Sequence, residues 1–217
     1  NPEADVEGYD ACRKIAILSS LISGHQVDFE DIYTEGITQI TKEDMMYAKE
    51  MKMTIKLLAS SKRDGDHLHA IVAPALLGNE HPLYSVNGVF NAVFVNGNML
   101  GDAMFYGSGA GKLPTASAVV ADVVDEAKHL HRNIMTNWTS RPLHLMELDQ
   151  VAGRFFVRVK GATVEQVEEV FGKVEIVNLK KLPGEFAFVT SVMKQAEYKE
   201  KAARLNGKVV SMIRVKD

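Results

Sequence analysis

The sequence predicts an α+β fold in two parts: a mixed or antiparallel sheet with helices on one face, and a smaller βαββαβ module. Three observations support this class. Apolar residues recur at helical spacing near the start of the chain. Apolar runs bounded by turn residues follow in the middle. From Arg154 to Val215, strand-like and helix-like segments alternate.

Composition restricts the class of partner. The 217 residues include 25 basic and 28 acidic side chains, for a net charge of −3, and no basic run occurs. Neither nucleic acid nor an anionic membrane is therefore expected as a partner. Cys12 is the single cysteine, so no internal disulfide can form, which suits a reducing cytoplasm. No apolar stretch approaches the length of a membrane span.

The first predicted helix runs from Asp5 to Ser23, with Gly24 as its stop. Beyond Lys14 the helix is apolar on nearly every side, so it is expected to be largely buried. One of its stripes at helical spacing consists of Ala11, Ile15, Leu18 and Ile22.

Asp10 and Lys14 stand four residues apart on this helix, so they share a face. Spacing alone favours an ordinary surface ion pair. A second interpretation is an amine at the edge of an apolar environment, where burial disfavours its charge and the carboxylate favours it. Such a lysine could move a proton. Asp5, at the predicted helix start, is interpreted as a cap or as a group supporting the site.

The next segments alternate in type. Phe29–Ile40 is predicted to be rich in strand, and Thr41 is predicted to cap a helix that ends near Met51. Strands are predicted at Thr54–Ser61 and His67–Ala73.

His67 and His69 would share one face of a strand, but no third ligand follows at a suitable spacing. We therefore predict exposed histidines and no metal site. Cys12 lies inside the first helix and is interpreted as a small packed residue.

A hairpin is predicted from two apolar runs, Val86–Val95 and Met99–Tyr106. Asn96 and Gly97 separate them, and this pair readily supplies the positive φ angles of a tight turn.

A glycine-rich turn, Gly107-Ser-Gly-Ala-Gly111, leads from the hairpin to a helix over Thr115–Asp125, with Pro114 in its first turn. Backbone N–H groups at such a helix start favour an anion such as a phosphate. A purely structural turn is an equally good interpretation. Lys112 is not followed by Ser or Thr, which excludes a Walker motif.

After a predicted linker at 131–145, in which periodicity lapses from His131 to Pro142, the tail has a βαββαβ order. Asn206-Gly207 ends its second helix. The predicted segments are strand Arg154–Lys160, helix Thr163–Phe171, strands Lys173–Leu179 and Glu185–Met193, helix Gln195–Leu205 and strand Lys208–Val215.

Two blocks of the chain resemble the homoserine dehydrogenase family. They are Asp5-Val-Glu-Gly-Tyr-Asp-Ala-Cys-Arg-Lys14 and the segment from Val86 to Asp125, which includes Tyr106-Gly-Ser-Gly-Ala-Gly-Lys-Leu-Pro114. The resemblance covers about residues 1–130 and implies a catalytic, substrate-binding and dimerisation domain there. It also implies that a nucleotide-binding Rossmann domain precedes the chain.

The resemblance further implies roles for individual residues. Lys14 would be the catalytic acid and base, and Asp10 would bind substrate. Gly109 and Gly111 would approach the cofactor, NAD(P), with NADP favoured. The substrates would be L-homoserine and L-aspartate 4-semialdehyde, and the protein would be a cytoplasmic homodimer or higher oligomer.

The tail, residues 146–217, resembles the ferredoxin-like ACT domain that senses amino acids. Lys160-Gly161-Ala162-Thr163 stands where that family usually has Asp-x-Pro-Gly. Two roles stay open for the tail: binding of threonine as an effector, or a structural and dimerising role. The rival to an enzyme is a non-catalytic amino-acid-binding module, and calorimetry with threonine would separate the two.

Overall fold

The computed structural model describes residues 3–65, 67–135 and 138–216, the side chain of Asp64 excepted. It divides into two compact units. The first comprises Asn1–Gly78 together with Trp138–Asp217, and the second comprises Asn79–Asn137. This division differs from the predicted regions 1–130, 131–145 and 146–217. The tail and the first part of the chain share one unit, because they share one sheet.

The predicted first helix is two helices. Gly8 adopts the left-handed conformation with φ 81° and separates α1 (Glu3–Val6) from α2 (Tyr9–Ser23). Gly24, with φ 73°, ends α2 and donates its N–H to the Ser20 carbonyl, which confirms the predicted stop.

The segment predicted as strand-rich, Phe29–Ile40, is mostly not extended, since it contains a 3-10 helix and only two strand residues. The Thr41 cap is confirmed: Thr41 and Asp44 form a reciprocal capping box. The elements of this part are β1 (His25–Gln26), a 3-10 helix (Phe29–Asp31), β2 (Tyr33–Thr34), α3 (Lys42–Glu50), β3 (Thr54–Asp64) and β4 (His67–Leu77).

The second unit is a hairpin followed by a helix: β5 (Phe90–Gly97), β6 (Gly101–Ser108) and α4 (Lys112–Lys128). The hairpin is confirmed, but its predicted turn at Asn96-Gly97 is wrong. Gly97 pairs with Gly101, so three residues form the loop. Gly101 supplies the positive φ, 71°, that a loop of this length requires.

The chain then returns to the first unit. Part of the predicted linker forms a strand, Thr139–Pro142, which pairs in parallel with β1. The remaining elements are β7 (Thr139–Pro142), a 3-10 helix (Leu148–Gln150), β8 (Ala152–Lys160), α5 (Val164–Phe171), β9 (Glu175–Val177), β10 (Glu185–Val189), β11 (Met193–Lys194), α6 (Gln195–Arg204) and β12 (Val209–Lys216).

One eight-stranded sheet organises the first unit, with the order β2-β4-β12-β8-β10-β9, β3 on β4 and β11 on β8. The strands β12-β8-β10-β9 are antiparallel and follow the order fourth-first-third-second of the tail, which confirms the βαββαβ prediction. β12 also pairs in parallel with β4, Arg214 lying opposite Ala75. The tail sheet therefore continues the sheet of the first part.

Helices cover both faces of this sheet. On one face α2 and α3 pack through Ile15 and Tyr47 against alternate residues of β4, β8 and β12, such as Leu76. On the other face α5 and α6 pack through Phe171 and Tyr198 on a separate apolar cluster. Within the first unit, α2 and α3 thus lie on one face of the sheet and α5 and α6 on the other.

A buried charge network joins α3 to the tail. The Arg158 guanidinium on β8 lies 3.2 Å from the Asp44 carboxylate and donates a hydrogen bond of 2.9 Å to the Thr41 hydroxyl. Ser211 on β12 also donates to Asp44. Arg158 and Asp44 are both nearly inaccessible to solvent, so neither charge can exchange its partner for water.

We expect Asp44→Ala to lower the free energy of unfolding by about 3–5 kcal/mol, because it takes the nearest carboxylate away from the buried Arg158 guanidinium and breaks the capping box of α3. Urea denaturation measures the loss. Lys199→Ala, which breaks the exposed pair with Asp149, is the control and should cost no more than about 1 kcal/mol. Equal losses for the two variants would contradict a structural role for the network.

Candidate active site and comparison with known proteins

Helix α2 carries Asp10 and Lys14, and contacts on its buried side fix its position. The Cys12 thiol donates to the Phe29 carbonyl at 3.3 Å, and the Arg13 guanidinium lies 5.7 Å from the centre of the Phe29 ring. Near the other end, Ser19 donates to the Ser61 hydroxyl on β3 at 2.8 Å. The buried Cys12 thiol confirms the prediction of a small packed residue.

Asp10 and Lys14 form an ion pair, with 2.7 Å between Lys14 Nζ and Asp10 Oδ2. The predicted pairing is therefore present. Of the two interpretations of this pair, the surface ion pair is observed and the amine at the edge of an apolar environment is wrong, because the side chain of Lys14 is 67% exposed and that of Asp10 is 49% exposed. An exposed pair adds little to stability, while its two polar groups are accessible to a ligand.

The exposed stripe of α2 continues beyond this pair. Ile17 and Leu21, which follow Lys14 at helical spacing, are also exposed, and so is Ile22. The prediction of a largely buried helix is thus wrong. The helix buries only the side formed by Cys12, Ile15, Ala16, Ser19 and Ser20.

Asp5 does not cap α2. It lies in α1 and is exposed, and the residue at the N-cap of α2 is Gly8, which has no side chain to offer. The predicted role of Asp5 as a group that supports the site is not tested by this observation and stays a prediction.

Gly109 and Gly111 belong to the second unit. The Gly109 N–H donates to the Val89 carbonyl at 3.2 Å. A Cβ at Gly109 would overlap the side chain of Asn91 on β5. The overlap with Asn91 gives Gly109 a structural reason to be glycine.

Gly111 is more open and suits a cofactor phosphate better. It is the N-cap of α4, with φ 123°, and makes no side-chain capping bond. The nearest atom to an added Cβ is Pro114 Cδ at 3.5 Å. The first N–H groups of a helix of this length favour an anion, although Pro114 removes one of these donors. The turn therefore leaves room for an anion at Gly111.

We expect Gly109→Ala to destabilise the protein by about 1–3 kcal/mol, because the new methyl group overpacks against Asn91. Thermal unfolding measures this. Gly107→Ala, where no atom lies within 4 Å of the added Cβ, is the matched control. If Gly109 matters for packing alone, Asn91→Ala in the same chain should restore the melting temperature. A cofactor-affinity defect that persists in the double variant would instead show a binding role.

A cavity of about 410 Å³ in the first unit was not anticipated from the sequence. His69 lines it, so the predicted pair of exposed histidines is only half right: His67 is exposed and His69 is partly buried. The only sequence signal was the alternation of apolar and polar residues along the strand. The cavity lining consists of Glu30, Asp31, Ile32, Tyr33, His69, Ala70, His144, Leu145, Met146, Glu147 and Leu148.

Burial lowers the pKa of the His69 imidazole to about 4, and the positive charges of Lys216, Arg214 and Lys62 add to the shift. Across the described ranges 3–65, 67–135 and 138–216, no group of three or more His, Cys, Asp or Glu is arranged to hold a metal ion. Within the same ranges, no helix is long and apolar enough to cross a membrane.

His69 should make stability depend on pH. Between its ordinary pKa of 6.5 and its folded value of about 4, the unfolded chain binds a proton that the folded chain rejects. The free energy of unfolding should therefore fall as pH drops through this window. We expect His69→Gln to flatten that slope in urea titrations at several pH values, while His67→Gln should leave it unchanged. An identical slope in all three proteins would contradict the assignment.

Residues 1–124, more than half of the chain, match the family model described as homoserine dehydrogenase. The chain is 45% identical over 137 residues to the homoserine dehydrogenase of Bacillus subtilis, covering 63% of this chain and 32% of the relative. It is 36% identical over 177 residues to that of Helicobacter pylori, covering 82% of this chain and 41% of the relative. The matched part of the chain thus spans 32% and 41% of the length of these two relatives.

Solved structures extend the likeness to the tail. A homoserine dehydrogenase from Thiobacillus denitrificans superposes on all of this chain and 55% of its own, with a TM-score of 0.87 and 30% identity. One from S. aureus covers the same share of this chain and 54% of its own, with a TM-score of 0.76 and 28% identity.

The fold shared with solved homoserine dehydrogenases along the whole chain and the family model over residues 1–124 point to the same class of protein. The chain belongs to the homoserine dehydrogenase family. The family match includes both α2 and the glycine turn before α4.

Proposed function

We propose that the full-length protein carrying this chain is a homoserine dehydrogenase, which interconverts L-aspartate 4-semialdehyde and L-homoserine with NAD(P)H. The observation that carries the proposal is the family match over residues 1–124, which contains the paired Asp10 and Lys14. The shared fold of the solved relatives along the whole chain supports it further.

Lys14 is the proposed proton donor and acceptor. When bound, the nicotinamide supplies a hydride to the aldehyde carbon in one direction and accepts it in the other. The developing alkoxide oxygen needs a proton in the reductive direction, and Lys14 Nζ provides it. In the oxidative direction Lys14 removes the hydroxyl proton of homoserine. The exposure of this amine leaves it accessible to a substrate oxygen.

Asp10 is proposed to bind substrate and to orient Lys14. Its Oδ2 atom holds Lys14 Nζ at 2.7 Å, and the rest of this half-exposed carboxylate is free to accept hydrogen bonds. A carboxylate complements the ammonium group that both substrates carry. Since Asp10 and Lys14 share one helix, the carboxylate that binds the substrate and the amine that donates the proton keep a constant separation.

Gly109 and Gly111 are proposed to lie near the cofactor. Support is stronger for Gly111, because its N-cap position leaves open space for a phosphate. For Gly109, packing on Asn91 competes with this interpretation. NADP is the cofactor we favour.

For the tail we infer an ACT-like module, which either binds threonine as an effector or has a structural and dimerising role. The antiparallel strand order β12-β8-β10-β9 supports the ferredoxin-like architecture, and Gly161 keeps a left-handed turn, with φ 69°, after β8. We further infer a cytoplasmic homodimer or higher homo-oligomer that serves threonine, methionine and isoleucine biosynthesis.

Lys14→Ala should lower kcat of the full-length protein by a factor of about 10²–10⁴, which is the contribution of a positioned proton donor. Cofactor affinity should change little, because the substitution removes no cofactor contact proposed here. Steady-state kinetics in both directions measures the loss. Lys49→Ala, at an exposed lysine in the last turn of α3, is the control. A near-normal kcat for Lys14→Ala would exclude this role.

A further inference from the structure

We propose that Gly8 and Gly36 are positioning residues. Because neither has a side chain, the start of α2 can pack closely against the sheet, and this packing sets where Asp10 and Lys14 stand for the reaction. This inference rests on the proposed function. Neither glycine carries a group that could take part in the chemistry.

Gly8 places α2 against β2 and β4. It is buried, has φ 81°, and accepts the N–H of Cys12 at 2.9 Å, an early hydrogen bond of the helix. A Cβ there would lie 3.0 Å from Val72 Cγ1 on β4 and 3.3 Å from Thr34 Cγ2 on β2. A side chain would therefore combine an unfavourable backbone conformation with a close contact.

Gly36 makes the second close contact, and it does so with backbone atoms rather than with side chains. A Cβ at this residue would overlap the Val6 carbonyl oxygen and lie 2.6 Å from Glu7 Cα. The neighbouring Ile37 N–H donates to the same Val6 carbonyl at 2.8 Å. The turn between α1 and α2 thus rests directly on the chain that leaves β2.

These contacts act on the reactive pair through the helix. Gly8 stands two residues before Asp10 and one further turn before Lys14, so a displaced helix start would carry both side chains with it. Their ion pair joins residues of one helix and would survive the displacement. What would change is the position of the pair relative to the sheet and to a substrate held beside it.

Gly36→Ala in the full-length protein tests the proposal. The added methyl group meets backbone, so the turn must move. We expect kcat for homoserine oxidation to fall about 10- to 100-fold, the effect of a misplacement near 1 Å, with a smaller change in the KM for the cofactor. Gly153→Ala is the matched control, because no atom lies within 4 Å of its added Cβ. The kcat is to be taken per folded protein, well below the melting temperature.

Gly8→Ala gives a second, independent measurement. Its control is Gly207→Ala, which has a similar φ, 77°, and no atom within 4 Å of the added Cβ. Val72→Ala removes the atom that the Gly8→Ala methyl group would contact. We therefore expect the double variant Gly8→Ala/Val72→Ala to regain part of the lost kcat, a rescue that loss of stability alone would not produce. These Gly8 variants test the positioning proposal if Gly36→Ala does not fold.

A crystal structure of Gly36→Ala supplies a readout other than activity. The proposal expects a shifted start of α2 with the Lys14–Asp10 pair intact, and an unshifted helix would overturn it. Normal kcat in Gly36→Ala and Gly8→Ala would also overturn it, while inactive Lys14→Ala left the proposed function standing. Normal kcat in Lys14→Ala would instead reject the proposed function itself.

Discussion

The parallel pairing of β12 with β4 is the constraint on which the rest of the first unit depends. β4 forms the floor under α2 through Leu68, Ala70 and Val72, and its opposite end receives β12 of the tail at Ala75. The strand beneath α2, the helix that carries Asp10 and Lys14, and the strands of the tail therefore belong to one hydrogen-bonded sheet. The Arg158–Asp44 network adds a second connection between the tail and α3. A displacement of the tail strands would thus be transmitted to β4 through backbone hydrogen bonds.

Local sequence signals predicted most of the secondary structure, because they are physical properties of a few adjacent residues. Thr41 caps α3 and Gly24 ends α2, since each satisfies backbone groups within one turn. The predicted turn of the hairpin failed for the same local reason: Gly97 and Gly101 both permit positive φ, and only the strand register selects Gly101. The break at Gly8 was missed because the helical periodicity continues across it.

Local sequence signals did not predict which elements pack or pair with one another when they are distant in the sequence. The tail was predicted as a separate module, and its internal strand order was correct, but nothing in the chain marks β12 as a partner of β4. The burial of α2 was overestimated because an apolar composition does not tell which side meets a neighbour. The chemical pairing of Asp10 and Lys14 followed from spacing alone, whereas Gly8 and Gly36 owe their importance to atoms distant in the sequence.

The joining of β4 to β12 also has a kinetic consequence. The two strands are far apart in sequence, and the whole second unit is inserted between them. Closing so long a loop is entropically slow, so this step should come late in folding. The hairpin β5–β6 and the capped helix α3 depend on near neighbours and can form early. Until β12 pairs, one edge of β4 would lack a backbone partner at Ala75–Leu77, and an unpaired strand edge favours association with another chain.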